Sequence, residues 1–438
     1  MAETLTFVDL FAGLGGFHRA LGDGLGHDCV FASEIDPGLK DVYKRNFRGS
    51  AEYLHGDITK SRDDVPAHDV LCGGFPCPSF SKSGKQHGRR EKRGKLMREI
   101  VHIAKKRQPS IILLENVGNF ERIGDGAAWR ELRNSLQSAG YHVKATEHRA
   151  SGGPGLISPH HLGHPHQRER FYIVATREPD ASNPFPARMN APTSLKSVTE
   201  ESPSAEHRRE AALSDQQVRC IEHWNQLLRA VPAEDPIISP LWGDEAWETY
   251  PYRHETPWSL AAEFIRDRVG KRRFPSKMTK AEYLDSLPAY ARAATKTFPP
   301  WKVGFISDSR EWFSENVDHL PKEWVGELRT FPPSLRKLEW NCHGDTERDL
   351  WTKVLQFRPS GLRAKRYNAS PALVAMTSTQ IPILGPERRY LTRGEGLALQ
   401  GFSGEHELPA SRGAAFAALG NAVHVKVVQA VAQRAIAA

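Results

Sequence analysis

Cysteine is scarce in this sequence, five residues in 438. That excludes a disulfide framework and points to a reducing compartment, the cytoplasm. Long apolar runs are missing too: no stretch approaches the roughly 18 uninterrupted apolar residues of a membrane span, so no membrane is expected as a partner. The opening MAETLTFVDL lacks a basic leader and passes directly into strand-like sequence, which argues against a signal peptide. Internal repeats and low-complexity tracts are absent as well. What is present is ordinary for a folded chain: hydrophobic residues are 39% and charged residues 26%, enough for a sizeable core. At roughly 150 residues per domain the length allows two or three domains. Sixty Lys and Arg against 52 Asp and Glu leave a net charge of +8, compatible with a polyanionic partner.

From residue 5 to about 177, short apolar runs alternate with amphipathic stretches. Strands are expected at Leu5–Phe11, Cys29–Ser33, Asp69–Cys72, Ile111–Glu115, Tyr141–Thr146 and Phe171–Thr176, and helices over Lys95–Lys106 and Trp129–Ser138. Such alternation predicts an α/β fold, a mostly parallel sheet with helices on both faces. Residues 179–205 then turn rich in Pro, Ser, Asn and Ala, a linker signature. Nine of the ten tryptophans fall between Trp224 and Trp351, which suggests a second domain whose tryptophans mostly pack its core. The chain ends in an Ala- and Val-rich helical tail, Gly413–Ala438.

Four motifs carry chemistry. In FVDLFAGLGGFHRAL, Gly13, Gly15 and Gly16 permit a tight strand-to-helix turn that exposes backbone N–H groups to a ligand. Glu34 ends the second strand 21 residues after Gly13, where a Rossmann-like site places an acid for ribose hydroxyls. The G-x-G-G spacing disfavours NAD or FAD. Asp57, in HGDI, is either a partner for an adenine amino group or a turn residue. In DVLCGGFPCPSFSKSGKQHG, Cys77 sits between Pro76 and Pro78, held at the carboxyl end of a strand, where α/β sheets build active sites. In IILLENV a strand delivers Glu115 after four apolar residues; partial desolvation there raises a carboxyl pKa and suits proton donation. In HQRERFYIVAT, Arg168 and Arg170 stand two apart on an extended segment and face one way. Cys72 and Cys77 lack a second ligand pair for zinc. His160, His161, His164 and His166 have no acid or cysteine beside them, so no metal is expected.

Together these motifs resemble the DNA cytosine-5 methyltransferase family, of the bacterial restriction–modification type. The similarity covers about residues 5–177 and 361–430, through FAGLGG, the acid of SEID, GDI, GGFPCPSFS, ENV, QRER, LTRGEGLALQGF and ALGNAVHVKV. One departure is His166, where the family commonly has a glutamine. The resemblance implies a Rossmann-like S-adenosylmethionine-dependent methyltransferase sheet, residues 1–178 plus 413–438. A smaller inserted target-recognition domain would span 179–412, variable over 179–357 with a return segment over 358–412.

The resemblance also implies roles. The thiolate of Cys77 adds to carbon 6 of a flipped-out cytosine, Glu115 bonds its N3 edge, and Arg168 and Arg170 hold its O2. S-adenosylmethionine, leaving as S-adenosylhomocysteine, lies over Phe11, Gly13 and Gly15. Glu34 and Ile35 meet its ribose side, Asp57 and Ile58 its adenine, and Pro76, Leu96, Asn421 and Ala422 complete the pocket. The cationic loop after Cys77, with Ser83, Lys85, Gln86, Arg89 and Arg90, closes over phosphates of double-stranded DNA. A monomer is expected, with a restriction endonuclease encoded nearby but no stable complex between them. Two other readings are a tRNA cytosine-5 methyltransferase, whose target segment is more compact than the one here, and a non-catalytic DNA-binding relative, which the intact Cys77, Glu115 and arginine pair disfavour.

Overall fold

The computed structural model describes residues 3–76, 87–149, 153–179, 182–189, 191–247, 254–287, 291–375 and 378–437, with side chains of the helix His87–Arg107 from Leu96 onward. Two compact units result. The first comprises residues 1–207, 368–378 and 392–438, the second 208–367 and 379–391.

The first unit is built on strands β1 (Thr6–Leu10), β2 (Asp28–Ser33), β3 (Leu54–His55), β4 (Val70–Gly74), β5 (Ile111–Val117), β6 (His142–Ala145), β7 (His166–Gln167) and β8 (Arg170–Thr176). Seven of them form one sheet in the order β3-β2-β1-β4-β5-β8-β6. All six expected strands are present. Pairing is parallel from β3 through β5, while β8 runs antiparallel to both β5 and β6. Strand order reverses direction at β1, with β2 on one side and β4 on the other. Doubly wound sheets open a ligand crevice at such a switch point, beyond the carboxyl ends of the strands.

Helices cover both faces. Val8, Leu10, Leu71, Ile112 and Leu114 pack with Ile100, Ile103 and Ala104 of the helix His87–Arg107, and with Leu132 and Leu136 of the helix Ala127–Ser138. Ala12, Ala32 and Leu54 pack with Tyr43 and Phe47, brought in by the helix Pro37–Asn46. Burying side chains of this size contributes about 1.5–3 kcal/mol each. The apolar tail is core as well. Arg412–Ile436 is long and apolar enough to cross a membrane by composition, but 67% of its most apolar window is buried in the protein. It is also not one rod: the helices Arg412–Asn421 and Val425–Ile436 are separated at Ala422, whose ψ of 148° is extended.

The unit boundaries differ from those expected from the sequence. Residues 179–207, 368–378 and 392–412 belong to the first unit rather than the smaller one. One buried carboxylate links two of these segments. Glu395 closes a capping box with Thr392 and accepts a 2.9 Å bond from the Glu200 N–H, so the linker and the LTRGEG helix are tied together.

The second unit carries a six-stranded mixed sheet. From edge to edge it runs Arg389–Tyr390, Ile383–Leu384, Val354–Arg358, Gly361–Lys365, Lys337–Asn341 and Leu241–Trp242. Trp224, Trp242, Trp312, Trp324, Trp340 and Trp351 are buried, whereas Trp258 and Trp301 are exposed. Core packing therefore accounts for most of the tryptophan enrichment.

Candidate active site

The crevice at the switch point holds a cavity of about 580 Å3. Its walls come from the ends of β1, β2, β4 and β5, the segment before β8, and the turn Gly420–Val423.

The glycine turn after β1 forms one wall. Phe11 and Gly13 adopt left-handed backbone with φ of 58° and 55°, which aims the Gly13 N–H at the Glu34 carboxylate, 2.9 Å away. The second Glu34 oxygen accepts from the Asp36 N–H at 2.8 Å. A carboxylate gripped this way has its orientation fixed and still presents lone pairs to the cavity it lines. Gly15 is not among the lining residues. A Cβ there would stand 2.3 Å from the Phe47 ring, so its place is in closing the turn.

The neighbouring wall is apolar. Ile35 is 71% exposed yet lines the cavity together with Ile58 and Leu96, a surface suited to the faces of an aromatic ring. Asp57 lines it too, but its Oδ1 caps the following turn by accepting from the Thr59 N–H at 3.0 Å and Oγ1 at 2.8 Å. The turn reading of Asp57 holds, and the residue also lines the cavity.

The opposite wall carries the charged groups. Glu115, near the end of β5, is 6% exposed, and Oε1 lies 3.0 Å from Arg170 Nε. Burial pushes its carboxyl above the ordinary carboxylate range, against the charges of Arg170 and then Arg168. The neighbouring Asn116 donates to the Phe75 carbonyl at 3.0 Å, fixing the strand end that leads to Pro76. Pro76 lines the cavity. Cys77, next in sequence, lies outside the described residues, as do Ser83, Lys85, Gln86 and the side chains of Arg89 and Arg90.

The two arginines have different partners, a distinction that strand alternation alone does not make. Arg168 is 2% exposed. Its guanidinium donates to the carbonyls of Leu373 at 2.9 Å, Gly420 at 2.9 Å and Ala422 at 2.8 Å. Burial and then the charge of Arg170 lower its pKa to about 9, still a cation at neutral pH. Arg168 thus pins the turn that carries Asn421 and Ala422 to the cavity wall. Gln400 reinforces it, donating from a fully buried amide to the Leu419 carbonyl. Leu373 and Gln400 are the structural contributors that sequence reasoning passed over. Gln400 had a signal in the LALQGF motif, and Leu373 had none.

The histidines do not assemble a metal centre among the described residues. His166 is buried and accepts from the Leu373 N–H at 3.3 Å. Burial, then the Arg168 charge, holds its pKa well below the usual range. Its strand β7 pairs in parallel with Ser370–Pro371, so the residue in the glutamine's place works as packing and backbone support.

Comparisons with known proteins bear on the family and the fold. A family model described as C-5 cytosine-specific DNA methylase matches residues 5–437. The Type II methyltransferase M.AluI of Cellulosimicrobium cellulans is 32% identical, covering 97% of this chain and 90% of its own length. M.HhaI of Haemophilus parahaemolyticus is 37% identical over 40% of this chain and 49% of its own. Among solved structures, a DNA modification methyltransferase encoded within an E. coli prophage aligns with TM-score 0.51 and 17% identity, covering 98% of both chains, which bears on the fold alone. A methyltransferase sheet, a cavity at its switch point and a family match spanning nearly the whole chain lead to one assignment: the chain belongs to the C-5 cytosine-specific DNA methylase family, enzymes that methylate carbon 5 of cytosine with S-adenosylmethionine.

Proposed function

We propose that the protein methylates carbon 5 of one cytosine within a short word of duplex DNA, as the modification enzyme of a restriction–modification system in the cytoplasm. The observation that carries this reading is the single cavity in which Glu34, Asp57, Glu115 and Arg170, from separate strand ends, meet. S-adenosylmethionine fits what lines it: the fixed Glu34 carboxylate suits ribose hydroxyls, and Ile35, Ile58 and Leu96 suit an adenine ring. When bound, it supplies the electrophilic methyl group.

The chain's own residues do the rest. Carbon 5 of cytosine is a weak nucleophile. Addition of the Cys77 thiolate to carbon 6 makes the ring electron-rich at carbon 5. Glu115, whose buried carboxyl keeps its proton above the ordinary range, donates toward N3 and relieves the negative charge that addition would build there. Arg170 holds Glu115 and braces O2. Arg168, whose two terminal nitrogens both donate to backbone carbonyls, is a positioning residue that keeps Asn421 and Ala422 in the cofactor wall. Attack on the ring face requires the base to leave the stack, at a cost of a few kcal/mol. The loop with Lys85, Arg89 and Arg90 would close over the phosphates.

Sequence choice belongs to the second unit, since every motif of the reaction lies outside it. The chain works as a monomer, and a restriction endonuclease, where one is encoded nearby, acts separately. The decisive experiment is bisulfite sequencing of DNA from cells expressing the protein. One short word should be methylated at every occurrence, and Cys77→Ser should leave none. Methylated tRNA with unmodified DNA would overturn the reading.

A further inference from the structure

The family motifs leave a second cavity of the first unit unused. It has a volume of about 260 Å3, and Arg149, Gly155, His161 and Arg188 line it. Arg149, residues 154–157, the turn carrying His161 and Leu162, and residues 183–188 surround it. A Cβ placed on Gly155 would stand 2.8 Å from Arg188 Nη2 and 3.3 Å from Arg149 Nε, so both guanidinium groups converge on one stretch of backbone. Gly155 has φ of +85°, a conformation that favours glycine and keeps this approach open. Arg188 donates to the Leu156 carbonyl at 3.0 Å. Arg149 makes no hydrogen bond or ion pair among the described residues. The carboxylate whose field reaches Arg188 is Glu169.

His161 completes the lining. Its Nδ1 accepts from the Ser158 N–H at 3.2 Å, which leaves the ring proton on Nε2. Burial, followed by the charges of His160, Arg188 and Arg149, lowers its pKa to about 4. At neutral pH it is therefore an uncharged donor, and it adds no repulsion to the two arginines.

We propose that this cavity receives one backbone phosphate of the bound DNA, gripped by Arg149 and Arg188 with His161 as a neutral donor. Guanidinium forks match the oxygens of a phosphodiester in geometry and charge. Position selects DNA over a free phosphate compound. Ile157 exchanges both backbone hydrogen bonds with Arg170, at 3.1 and 2.8 Å. A hydrogen-bonded pair of about 5.5 Å between Cα atoms plus two residues at about 3.5 Å each puts the Gly155 backbone within roughly 13 Å of the Arg170 backbone. Phosphates on one strand advance about 3.4 Å along the axis per nucleotide, so the gripped phosphate belongs within a few nucleotides of the target base. The inference rests on the DNA methyltransferase reading.

The test uses the full chain and its bisulfite-defined target word. Duplexes carry a single uncharged methylphosphonate, stepped along each strand around the target cytosine. One position should weaken wild-type binding about tenfold, and that penalty should vanish in Arg149→Ala/Arg188→Ala. The salt slope of log K should flatten by about one unit in the double variant and by no more than that in either single variant, because the arginines share one phosphate. S-adenosylmethionine binding by the variants should match wild type, as a check on folding. A methylphosphonate penalty that survives in the double variant, or a slope loss of about two units, overturns the shared-phosphate pocket. If the double variant keeps wild-type DNA affinity but loses affinity for inorganic phosphate, the cavity serves a free anion and the DNA assignment is wrong. A wild-type protein that marks no DNA word fails at the earlier step, and the methyltransferase reading falls first.

Discussion

Arg170 Nε lies 3.0 Å from Oε1 of Glu115, and β5 and β8 bring the pair to the wall of the same cavity. The pair balances two opposing effects: burial raises the carboxyl pKa and the guanidinium lowers it. Glu115→Gln should lower kcat by about 10²-fold or more, the usual weight of a positioned acid, while leaving S-adenosylmethionine affinity near wild type. The proposed mechanism needs the protonated carboxyl, so activity should decline as pH rises through the raised Glu115 pKa. In Glu115→Gln that limb of the pH–kcat profile should disappear. A profile that keeps it assigns the titration to another group.

The two arginines should separate kinetically. On the proposed mechanism Arg170 acts at the reacting ring, so Arg170→Ala should mainly lower kcat. Arg168→Ala strands three carbonyls, each leaving a cost of about 1–3 kcal/mol. It should raise the KM for S-adenosylmethionine, lower stability, and affect kcat less. Arg168→Lys can satisfy only part of the set and should fall between. Equal effects of both alanine variants on kcat alone would contradict the division of labour.

This division marks where the sequence stops being informative. Glu34 and Glu115 could be placed because each lies at or near the carboxyl end of an expected strand, and strand ends in a doubly wound sheet surround the ligand; Asp57, two residues past β3, was legible only through its HGDI motif. Arg168 looked equivalent to Arg170 because both sit on one extended segment. What distinguishes them is the carbonyls of Leu373, Gly420 and Ala422, more than 200 residues away in the chain. The unit boundary was obscured for the same reason. Residues 392–399 follow a variable block in sequence, but the buried Glu395 ties them to Glu200. The arginine cavity has no sequence signature, since Arg149 and Arg188 are ordinary surface residues until the fold brings them to Gly155.

Asp9 gives a pH prediction for stability. It is fully buried in β1, and burial, opposed by the His18 backbone and reinforced by the Glu34 charge, raises its pKa from 3.8 to about 8. The folded protein therefore holds a proton that the unfolded chain releases above pH 3.8. Stability from this group is full below that pH and is lost as pH rises toward about 8. The slope for one proton is about 1.4 kcal/mol per pH unit. Urea midpoints should fall from pH 5 to 8 in wild type and fall less in Asp9→Asn. Parallel profiles would show that Asp9 does not titrate alone.

Exchange of the second unit tests sequence choice. Residues 208–367 and 379–391, grafted into another family member at matching positions, should bring this chain's target word. Bisulfite sequencing reads the outcome directly. An active chimera that keeps its old word would place recognition in the first unit.

The last prediction concerns the two cysteines five residues apart. Cys77 would form the adduct at carbon 6, which is released only when a base removes the proton from carbon 5 after methyl transfer. Fluorine at carbon 5 blocks that release, so the protein should stay covalently attached to DNA carrying 5-fluorocytosine in its target word. Trapping should need S-adenosylmethionine, because without methyl transfer the addition reverses. Cys77→Ser should abolish it, since a hydroxyl is far less ionised than a thiol at neutral pH and a poorer nucleophile. Cys72 is the built-in control. It is fully buried in β4, its thiol donates to the Val8 carbonyl at 3.1 Å, and burial raises its pKa well above the usual thiol range. Cys72→Ser replaces one short donor by another and should leave trapping near wild type, with stability lowered by about 1–3 kcal/mol if the hydroxyl is left poorly bonded. An adduct that survives the loss of Cys77, or that maps to Cys72 by peptide mass, would overturn the assignment of the nucleophile.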